Sequence, residues 1–211
     1  MFSNIERVRR TLICGPPELT ETFMFEGAAH WAKQGSRVIY VTQNPIESLP
    51  PKYHDAPKPC VDTFQLIKFM YLPDHKSLME LLVELDTFAS LPSALLIDKL
   101  DNYAEPTTWR GDYDVLLAKT CSFIIDAMNA CSRILGKKVH VCASLRPETV
   151  GKVHFVYFDN VWKFSIDNNL ADPIITLQKA FCTNGDRLFK FRSLEDRTVV
   201  LKQVLRFVDE H

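Results

Sequence analysis

Five short apolar runs follow one another in the first 145 residues, and segments with helical spacing lie between several of them. Most of these runs lack polar alternation, which is typical of strands buried on both faces of a parallel sheet. The runs are residues 11–14, 38–41, 64–72, 94–97 and 139–143. Strands and helices in turn predict an α/β fold with a mainly parallel central sheet, because parallel strands need a crossover between them.

Three segments between these runs have the boundaries of amphipathic helices. The first, from about residue 22 to residue 34, ends before Gly35, and glycine is favoured just past a helix end. The second opens at Pro73 and Asp74, and the third covers residues 112–135 before Gly136. Apolar residues recur in the third in steps of three and four, so one of its faces is expected to pack on the sheet.

The pattern changes after residue 146. Residues 161–166 alternate between apolar and polar, and residues 174–183 and 187–192 flank an Asn-Gly pair, which is a strong hairpin signal. Residues 198–208 fit a helix by their spacing and a strand by their β-branched content, and we leave both open. The sequence therefore predicts an antiparallel extension after the parallel core.

Length, composition and charge set the outer limits. A chain of 211 residues suits one domain, and 46% hydrophobic residues rule out a largely disordered protein. We expect a single domain over 1–211, with a parallel α/β core over 1–145 and an antiparallel extension over 146–211. The 25 basic and 26 acidic residues give a net charge of −1, which excludes a broadly basic protein that coats nucleic acid. Any nucleic-acid contact must then be local.

The cysteines and the apolar runs give no sign of export or of membrane insertion. The six cysteines contain no C-x-x-C pair, so we expect reduced, structural thiols and no metal site. Charges interrupt the first ten residues, where a secretory signal needs an apolar stretch. No run approaches the ~18–20 apolar residues that span a bilayer, so we expect an intracellular protein without membrane contact.

The turn after the first apolar run is the most informative segment for function. Residues 15–22 read GPPELTET, and a ligand site in a parallel sheet lies beyond the carboxyl ends of the strands. Against the phosphate loop G-x-x-x-x-G-K-[ST], Gly15 and Thr22 match. Thr20 and Glu21 replace the second glycine and the lysine. The turn therefore reads as a degenerate Walker A element.

The replacements all act against phosphate binding. Pro16 and Pro17 remove two backbone N–H donors, and Thr20 disfavours the positive φ that glycine tolerates. A unit charge pair at contact distance is worth ~4 kcal/mol at an effective dielectric near 20, so Glu21 in place of lysine costs phosphate affinity several kcal/mol. We expect a vestigial nucleotide pocket with no or weak ATP hydrolysis.

Residues 94–98 form a second element of this kind. They read ALLID, a buried strand that ends in Asp98, as in a Walker B element whose carboxylate holds Mg²⁺ through water. The second strand is followed by Thr42 and Gln43, where recombinase-type ATPases usually carry a catalytic carboxylate. We therefore assign Asp98 to the vestigial site and assign no catalytic residue.

Several longer segments carry a family resemblance. YVTQNPIESLP at 40–50, FQLIKFMYLPDHKSLMELL at 64–82 and SALLIDKLDNY at 93–103 occur in that order, and FRS follows at 191–193. Together they resemble the SWIM-zinc-finger-associated ATPase-like proteins, divergent RecA-type recombinase paralogues of the Shu complex. The specific part of this resemblance covers about a third of the chain.

The resemblance implies a RecA-like P-loop core that pairs with a SWIM-type zinc-finger protein. It implies recombinase or other recombinase paralogues and single-stranded DNA as further partners, in homologous recombination repair and meiosis, and a nuclear location. It implies ATP and Mg²⁺ as cofactors, with Gly15 and Thr22 in the phosphate loop and Asp98 at the Walker B end. Because Glu21 departs from the family's lysine, we expect the scaffold role and not the hydrolysis.

Contact with DNA needs local cations. In RecA-like folds the loops after the later core strands face DNA, which favours Arg146 and Lys152, and Lys137 with Lys138 before the fifth strand are further candidates. For each of these residues alone, ordinary solvated charge explains the sequence as well.

Three hypotheses follow from the sequence. The first is a non-catalytic or weakly active RecA-like subunit of a Shu-type complex. The second is an active DNA-stimulated ATPase in which Arg9, Arg10 or a partner's arginine supplies the charge that the phosphate loop lacks. The third is a generic α/β adaptor. Saturable binding of Mg-ATP separates the second from the first.

Overall fold

The protein is described here by a computed structural model that covers residues 7–47, 50, 60–104, 112–167, 173–183, 185–195 and 198–206. Within these residues the chain forms nine strands and six α-helices. The strands are β1 Val8–Cys14, β2 Val38–Thr42, β3 Ile67–Tyr71, β4 Ala94–Ile97, β5 Val139–Leu145, β6 Asn160–Asp167, β7 Ile174–Lys179, β8 Arg187–Ser193 and β9 Val199–Arg206. The helices are α1 Pro17–Lys33, α2 Val61–Gln65, α3 His75–Glu84, α4 Leu100–Ala104, α5 Tyr113–Leu135 and α6 Lys152–Tyr157.

All nine strands join one sheet in the order β3-β2-β4-β5-β1-β6-β7-β8-β9. The pairs from β3 across to β6 are parallel, and the pairs from β6 to β9 are antiparallel. The predicted α/β class, with a mainly parallel sheet and a C-terminal antiparallel extension, is confirmed. The strand direction changes between β6 and β7, so β6 lies in the segment 146–211 but pairs with β1 in the parallel manner.

Helices cover both faces of the parallel part. On one face, Met24, Ala28 and Ala32 of α1 pack against buried side chains of β2, β4 and β5. On the other face, buried residues of α3, α4 and α5 pack against the alternate side chains of β1, β2, β4 and β5. Burial on both faces explains the apolar runs of the sequence.

Helix α1 also covers the beginning of the antiparallel extension. Leu19 of α1 packs with Phe164, Ile175 and Phe191 in a third apolar cluster, and Phe23 meets the ring of Phe164 edge-on at 4.6 Å between centroids. The same helix therefore fixes the extension to the parallel core.

Helix α5 is the long central helix of the second layer. Asp112 caps it by accepting a hydrogen bond from the backbone N–H of Asp114, and Gly136 ends it at φ 64°. Its length and composition would allow it to cross a bilayer. However, Leu117, Ile124 and Met128 are buried against the sheet, so α5 is a core helix.

Three predictions about local structure need correction or completion. Residues 64–72 were predicted as one strand, but α2 extends to Gln65 and β3 begins at Ile67. The first helix was predicted from residue 22 and begins at Pro17, because proline is well suited to the first helical position. Residues 198–208, which fitted either element, contain β9. The short helices α4 and α6 were not predicted.

Candidate functional site

The turn between β1 and α1 contains only two residues, Gly15 and Pro16. Residues 17–22, which the phosphate-loop alignment treats as loop, form the beginning of α1. The backbone N–H groups of Leu19 and Thr20 both donate to the carbonyl of Pro16, each at 3.1 Å. A phosphate loop binds its ligand through free backbone N–H groups, and here these two donors are used inside the helix.

Gly15 allows a close approach between β1 and β6. A Cβ atom at Gly15 would lie 2.7 Å from the Cβ and 2.9 Å from the Cδ2 of Phe164. The backbone N–H of Gly15 donates to the carbonyl of Leu145 at 3.2 Å. Packing of the sheet is therefore a sufficient reason for glycine at this position.

The two threonines of the predicted site are buried in α1. Thr20 and Thr22 are 2% and 1% exposed. The hydroxyl of Thr20 donates to the carbonyl of Pro17 at 3.1 Å, and that of Thr22 donates to the carbonyl of Glu18 at 2.8 Å. Both hydroxyl protons are thus used by local helix carbonyls.

Asp98 lies at the carboxyl end of β4, as the sequence predicts, and is 4% exposed. The hydroxyl of Ser144 on β5 donates to its Oδ1 at 2.7 Å. The ammonium of Lys99 lies 3.6 Å from its Oδ2. The same Ser144 oxygen accepts the backbone N–H of Lys99 at 2.8 Å, so the three residues form one connected cluster.

Sequence reasoning did not identify Lys99. This residue has φ 53°, in the left-handed region that lysine rarely adopts. Such a conformation costs roughly 1–2 kcal/mol for an L-residue. The available sequence signal was a cation directly after the Walker B-like aspartate. Its ammonium lies beside the carboxylate of Asp98, which in a Walker B element would hold Mg²⁺ through a water molecule.

Gln43 follows β2, and both the nitrogen and the oxygen of its side-chain amide have hydrogen-bond partners. Its Nε2 donates to the carbonyl of Pro73 at 3.0 Å, and its Oε1 accepts from Nδ2 of Asn102 at 2.8 Å. A glutamine at this place cannot act as the general base that a carboxylate could supply.

A cavity of about 70 Å³ lies between these residues. It is lined by Glu21, Tyr40, Thr42, Gln43, Asn44, Pro45, Ile46, Asp98 and Lys99. Pockets for small-molecule ligands have volumes of roughly 300–1,000 Å³, so this cavity is too small for a nucleotide.

The cavity is also unfavourable for anions. Burial raises the pKa of the Tyr40 hydroxyl far above its usual range, and the negative charges of Asp98 and Glu21 raise it further. Both carboxylates therefore contribute negative potential at the place where a triphosphate would have to bind.

The residues at this edge do not fit ATP and Mg²⁺ as cofactors. The turn is too short to wrap a phosphate, the cavity is too small, and Asp98 already faces an ammonium group. Arg10, a suggested source of the missing charge, lies within β1, and its Nε donates to Oδ2 of Asp159 at 2.7 Å. We derive no catalytic step from this site.

The four cations suggested for DNA contact lie in two pairs beyond opposite ends of β5. Arg146 and Lys152 follow β5, whereas Lys137 and Lys138 precede it. The seven residues of β5 span about 20 Å, so the two pairs cannot form one compact surface. DNA contact by any of them stays a prediction.

Arg146 also has an internal partner. Its Nε donates to Oδ2 of Asp101 at 2.5 Å, and Asp101 is fully buried. The side chain of Arg146 remains 38% exposed. Lys152 begins α6 and is exposed, so it is the more available cation at this edge.

Comparison with known proteins defines the fold. No protein-family model matches the sequence, and a search of curated proteins finds no match. Among the solved structures that are similar to this chain, two match it over nearly its whole length. One is the RadB recombinase, with a TM-score of 0.60 and 12% identity over 92% of this chain and 90% of that one. The other is the flagellar accessory protein FlaH from Methanocaldococcus jannaschii, with a TM-score of 0.60 and 10% identity over 92% and 89%.

The fold is RecA-like. At this level of identity the likeness shows the fold alone. The predicted RecA-like core is therefore confirmed, while the narrower resemblance to the SWIM-associated proteins stays a prediction. The β1–α1 turn and Asp98 correspond to the edge of the RecA-like sheet at which the sequence predicted a vestigial nucleotide site.

Proposed function

We propose that this chain is a non-catalytic or weakly active RecA-like subunit of a Shu-type complex. In this complex it pairs with a SWIM-type zinc-finger protein and supports recombinase filaments on single-stranded DNA, in nuclear homologous recombination repair and in meiosis. The RecA-like fold supports the general role. The resemblance of segments 40–50, 64–82 and 93–103 supports the specific complex.

The observation that supports the scaffold role is that several polar groups at the carboxyl ends of β1 and β4 have partners within the chain. Among them are the N–H groups of Leu19 and Thr20 and the carboxylate of Asp98. Among the described residues that line the cavity, the buried hydroxyl of Tyr40 has no hydrogen-bond partner. Buried polar groups without partners are costly, so the partners within the chain stabilise this edge in the absence of a nucleotide.

An active DNA-stimulated ATPase is the second candidate, and the RecA-like fold is the observation that favours it. It requires a cation from outside the β1–α1 turn, since Glu21 replaces the lysine and Arg10 is paired with Asp159. Arg9, which lies within β1, or a partner's arginine would have to supply that charge. The third candidate, a generic α/β adaptor, does not explain why the fold is RecA-like.

Calorimetric titration with Mg-ATP distinguishes the scaffold from the ATPase. We expect no saturable binding up to about millimolar ATP, because the turn repels phosphate and the cavity is too small. The variant Thr20→Gly with Glu21→Lys should also fail to bind, because it leaves the two-residue turn in place. Tight, saturable binding by the unmodified protein, alone or with its partner, would favour the ATPase.

Co-expression tests the pairing itself. The chain and the SWIM-type protein of the same organism should purify as a stable one-to-one complex. Two monodisperse proteins that do not interact would refute this part of the proposal.

A further inference from the structure

The antiparallel extension carries different side chains on its two faces. One face packs on α1 through Phe164, Ile175 and Phe191. Successive side chains of a strand point to opposite faces, and directly paired residues share a face, so the neighbours of these three residues lie on the other face. We call it the open face, and its residues are Lys163, Ser165 and Asp167 of β6, Ile174, Thr176 and Gln178 of β7, Leu188, Lys190 and Arg192 of β8, and Val200, Gln203 and Leu205 of β9.

A row of polar side chains crosses the middle of the open face from β6 to β9. In the order of the strands, the register brings together Ser165, Thr176, Lys190 and Gln203. Neighbouring strands lie about 4.8 Å apart, so the row is about 14 Å long. None of these four side chains has a hydrogen bond or an ion pair to another described residue. Hydroxyl, amide and ammonium groups of this kind are the ones that contact phosphate and sugar in nucleic acids.

The open face is locally basic, although the net charge of the chain is −1. Three of its residues are cations, Lys163, Lys190 and Arg192, and one is an anion, Asp167. Arg192 and Asp167 have interactions of their own, so the two lysines supply the charge that a ligand can use. They lie two strands and one residue pair apart, which is about 12 Å.

The open face continues the edge of the sheet at which the sequence predicts DNA contact. Lys163 pairs with Cys14, and Cys14 pairs with Leu145, the residue directly before Arg146. Strand β6 then continues for four residues past its last pair with β1, up to Asp167, which is about 13 Å. The open face therefore begins level with the carboxyl ends of β1 and β5 and extends beyond them.

The arrangement of polar and apolar side chains favours a nucleic acid over a protein as the ligand. A protein interface normally has an apolar centre within a polar rim. The open face has the opposite arrangement, since its middle row is polar and its apolar residues lie in the rows on either side. It carries no aromatic side chain on which a base could stack, so contact would be made with the phosphate backbone and would not depend on base sequence.

We propose that the open face binds the phosphate backbone of single-stranded DNA. Lys163 and Lys190 contact phosphates, and the hydroxyls and amide of the middle row donate hydrogen bonds to the backbone between them. This inference rests on the proposed function, from which the single-stranded form and the DNA are taken, and it adds a defined surface to the predicted contact at Arg146.

The test measures affinity for a fluorescein-labelled thymidine oligonucleotide by anisotropy at several salt concentrations, for the chain alone and with the SWIM-type protein. Each phosphate contact to a single strand contributes ~0.7 to the slope of log affinity against log salt, which is about fivefold in affinity at ~0.1 M salt. We expect Lys163→Gln and Lys190→Gln each to weaken binding about fivefold and to reduce the slope by ~0.7. The double variant should bind about 25-fold more weakly than wild type.

Arg187→Gln is the matched control. Arg187 is an exposed cation of β8, three positions from Lys190, so its side chain lies on the α1 side of the same strand. Its loss should leave both the affinity and the slope unchanged. Lys190→Arg keeps the charge and should bind like wild type, and circular dichroism melting shows whether each variant is folded.

The outcomes separate this surface from the proposed function. If wild type binds and both glutamine variants keep its affinity and slope, the surface is wrong and the proposed function stands. Equal losses in Arg187→Gln and Lys190→Gln would show attraction by total charge and would also overturn the surface. If neither the chain nor its complex binds the oligonucleotide, the inference fails together with the DNA contact of the proposed function, while co-expression still decides the pairing. Tighter, lysine-dependent binding of a uridine oligonucleotide would make RNA the ligand and overturn the proposal.

Discussion

Gly15 offers a direct test of what the β1–α1 turn does. Gly15→Ala would place a Cβ atom 2.7 Å from the Cβ of Phe164 and 2.9 Å from its Cδ2. Phe164 has little room to move, because β6 pairs with strands on both sides and the ring packs on Phe23. Overpacking of this kind costs typically ~1–3 kcal/mol, so the variant should lose that much unfolding free energy without any ligand present.

Gly27→Ala is the matched control. Gly27 lies within α1, and its added Cβ would meet only the Cζ3 of Trp31 at 3.5 Å, an ordinary contact. Alanine is favoured over glycine in a helix interior by roughly 0.5–1 kcal/mol. The two substitutions add the same methyl group, and we expect opposite signs.

Urea unfolding followed by circular dichroism measures both changes. For a domain of this size each kcal/mol also shifts the thermal midpoint by about 2–4 °C. If Gly15→Ala unfolds at the same urea concentration as wild type, the packing reason given for this glycine is refuted.

Three further predictions concern pH, DNA and thiols. Burial lowers the pKa of His75, His140 and His154, so the unfolded state, with a histidine pKa of about 6.5, binds more protons, and stability should fall as pH drops below about 6.5. Unfolding midpoints that are equal at about pH 7.5 and 5.5 would contradict this expectation, and His154→Gln should flatten the slope. Lys152→Glu should weaken binding of the proposed complex to single-stranded DNA more than Lys137→Glu does, because the two lysines lie beyond opposite ends of β5 and only Lys152 lies at the end predicted to face DNA. Equal effects of the two substitutions in a fluorescence titration would count against DNA contact by Arg146 and Lys152. A thiol reagent should modify the exposed Cys60 and Cys182 in the native protein and the other four only after unfolding, because those four are buried, and fast reaction of a third thiol would count against that burial.

The parallel core was predictable because burial on both faces leaves a direct mark on the sequence. Residues 38–41 and 94–97 are continuous apolar runs, and both are strands in the centre of the sheet. The edges were harder to predict. In residues 64–72 the run continues across the end of α2 into β3, because apolar side chains alone do not distinguish a short helix from a strand. Strand β9 lies at the other edge of the sheet and is mostly exposed, so its pattern was ambiguous.

The position of Asp98 was predictable from the sequence, and its contacts were not. Asp98 lies at the end of a buried strand, which the strand pattern alone requires. Its partner Ser144 is 46 positions away, and the partner of Gln43, Asn102, is 59 positions away, so these contacts depend on the register of the sheet. Pro17 indicated the early start of α1, because proline is favoured at the first helical position, but the phosphate-loop alignment placed this residue in a loop.

The cost of opening a phosphate loop in this chain can be put in numbers. The first turns of α1 would have to unwind, and the hydrogen bonds of the Leu19 and Thr20 N–H groups and of the Thr20 and Thr22 hydroxyls would be lost. Each is worth ~1 kcal/mol net. Exposing Leu19, which packs on Phe164, would cost about 1.5–3 kcal/mol more. An opening penalty of about 5–7 kcal/mol weakens apparent nucleotide affinity by a factor of roughly 10⁴ or more. A nucleotide would have to overcome this penalty and also the repulsion between its phosphates and the carboxylate of Glu21.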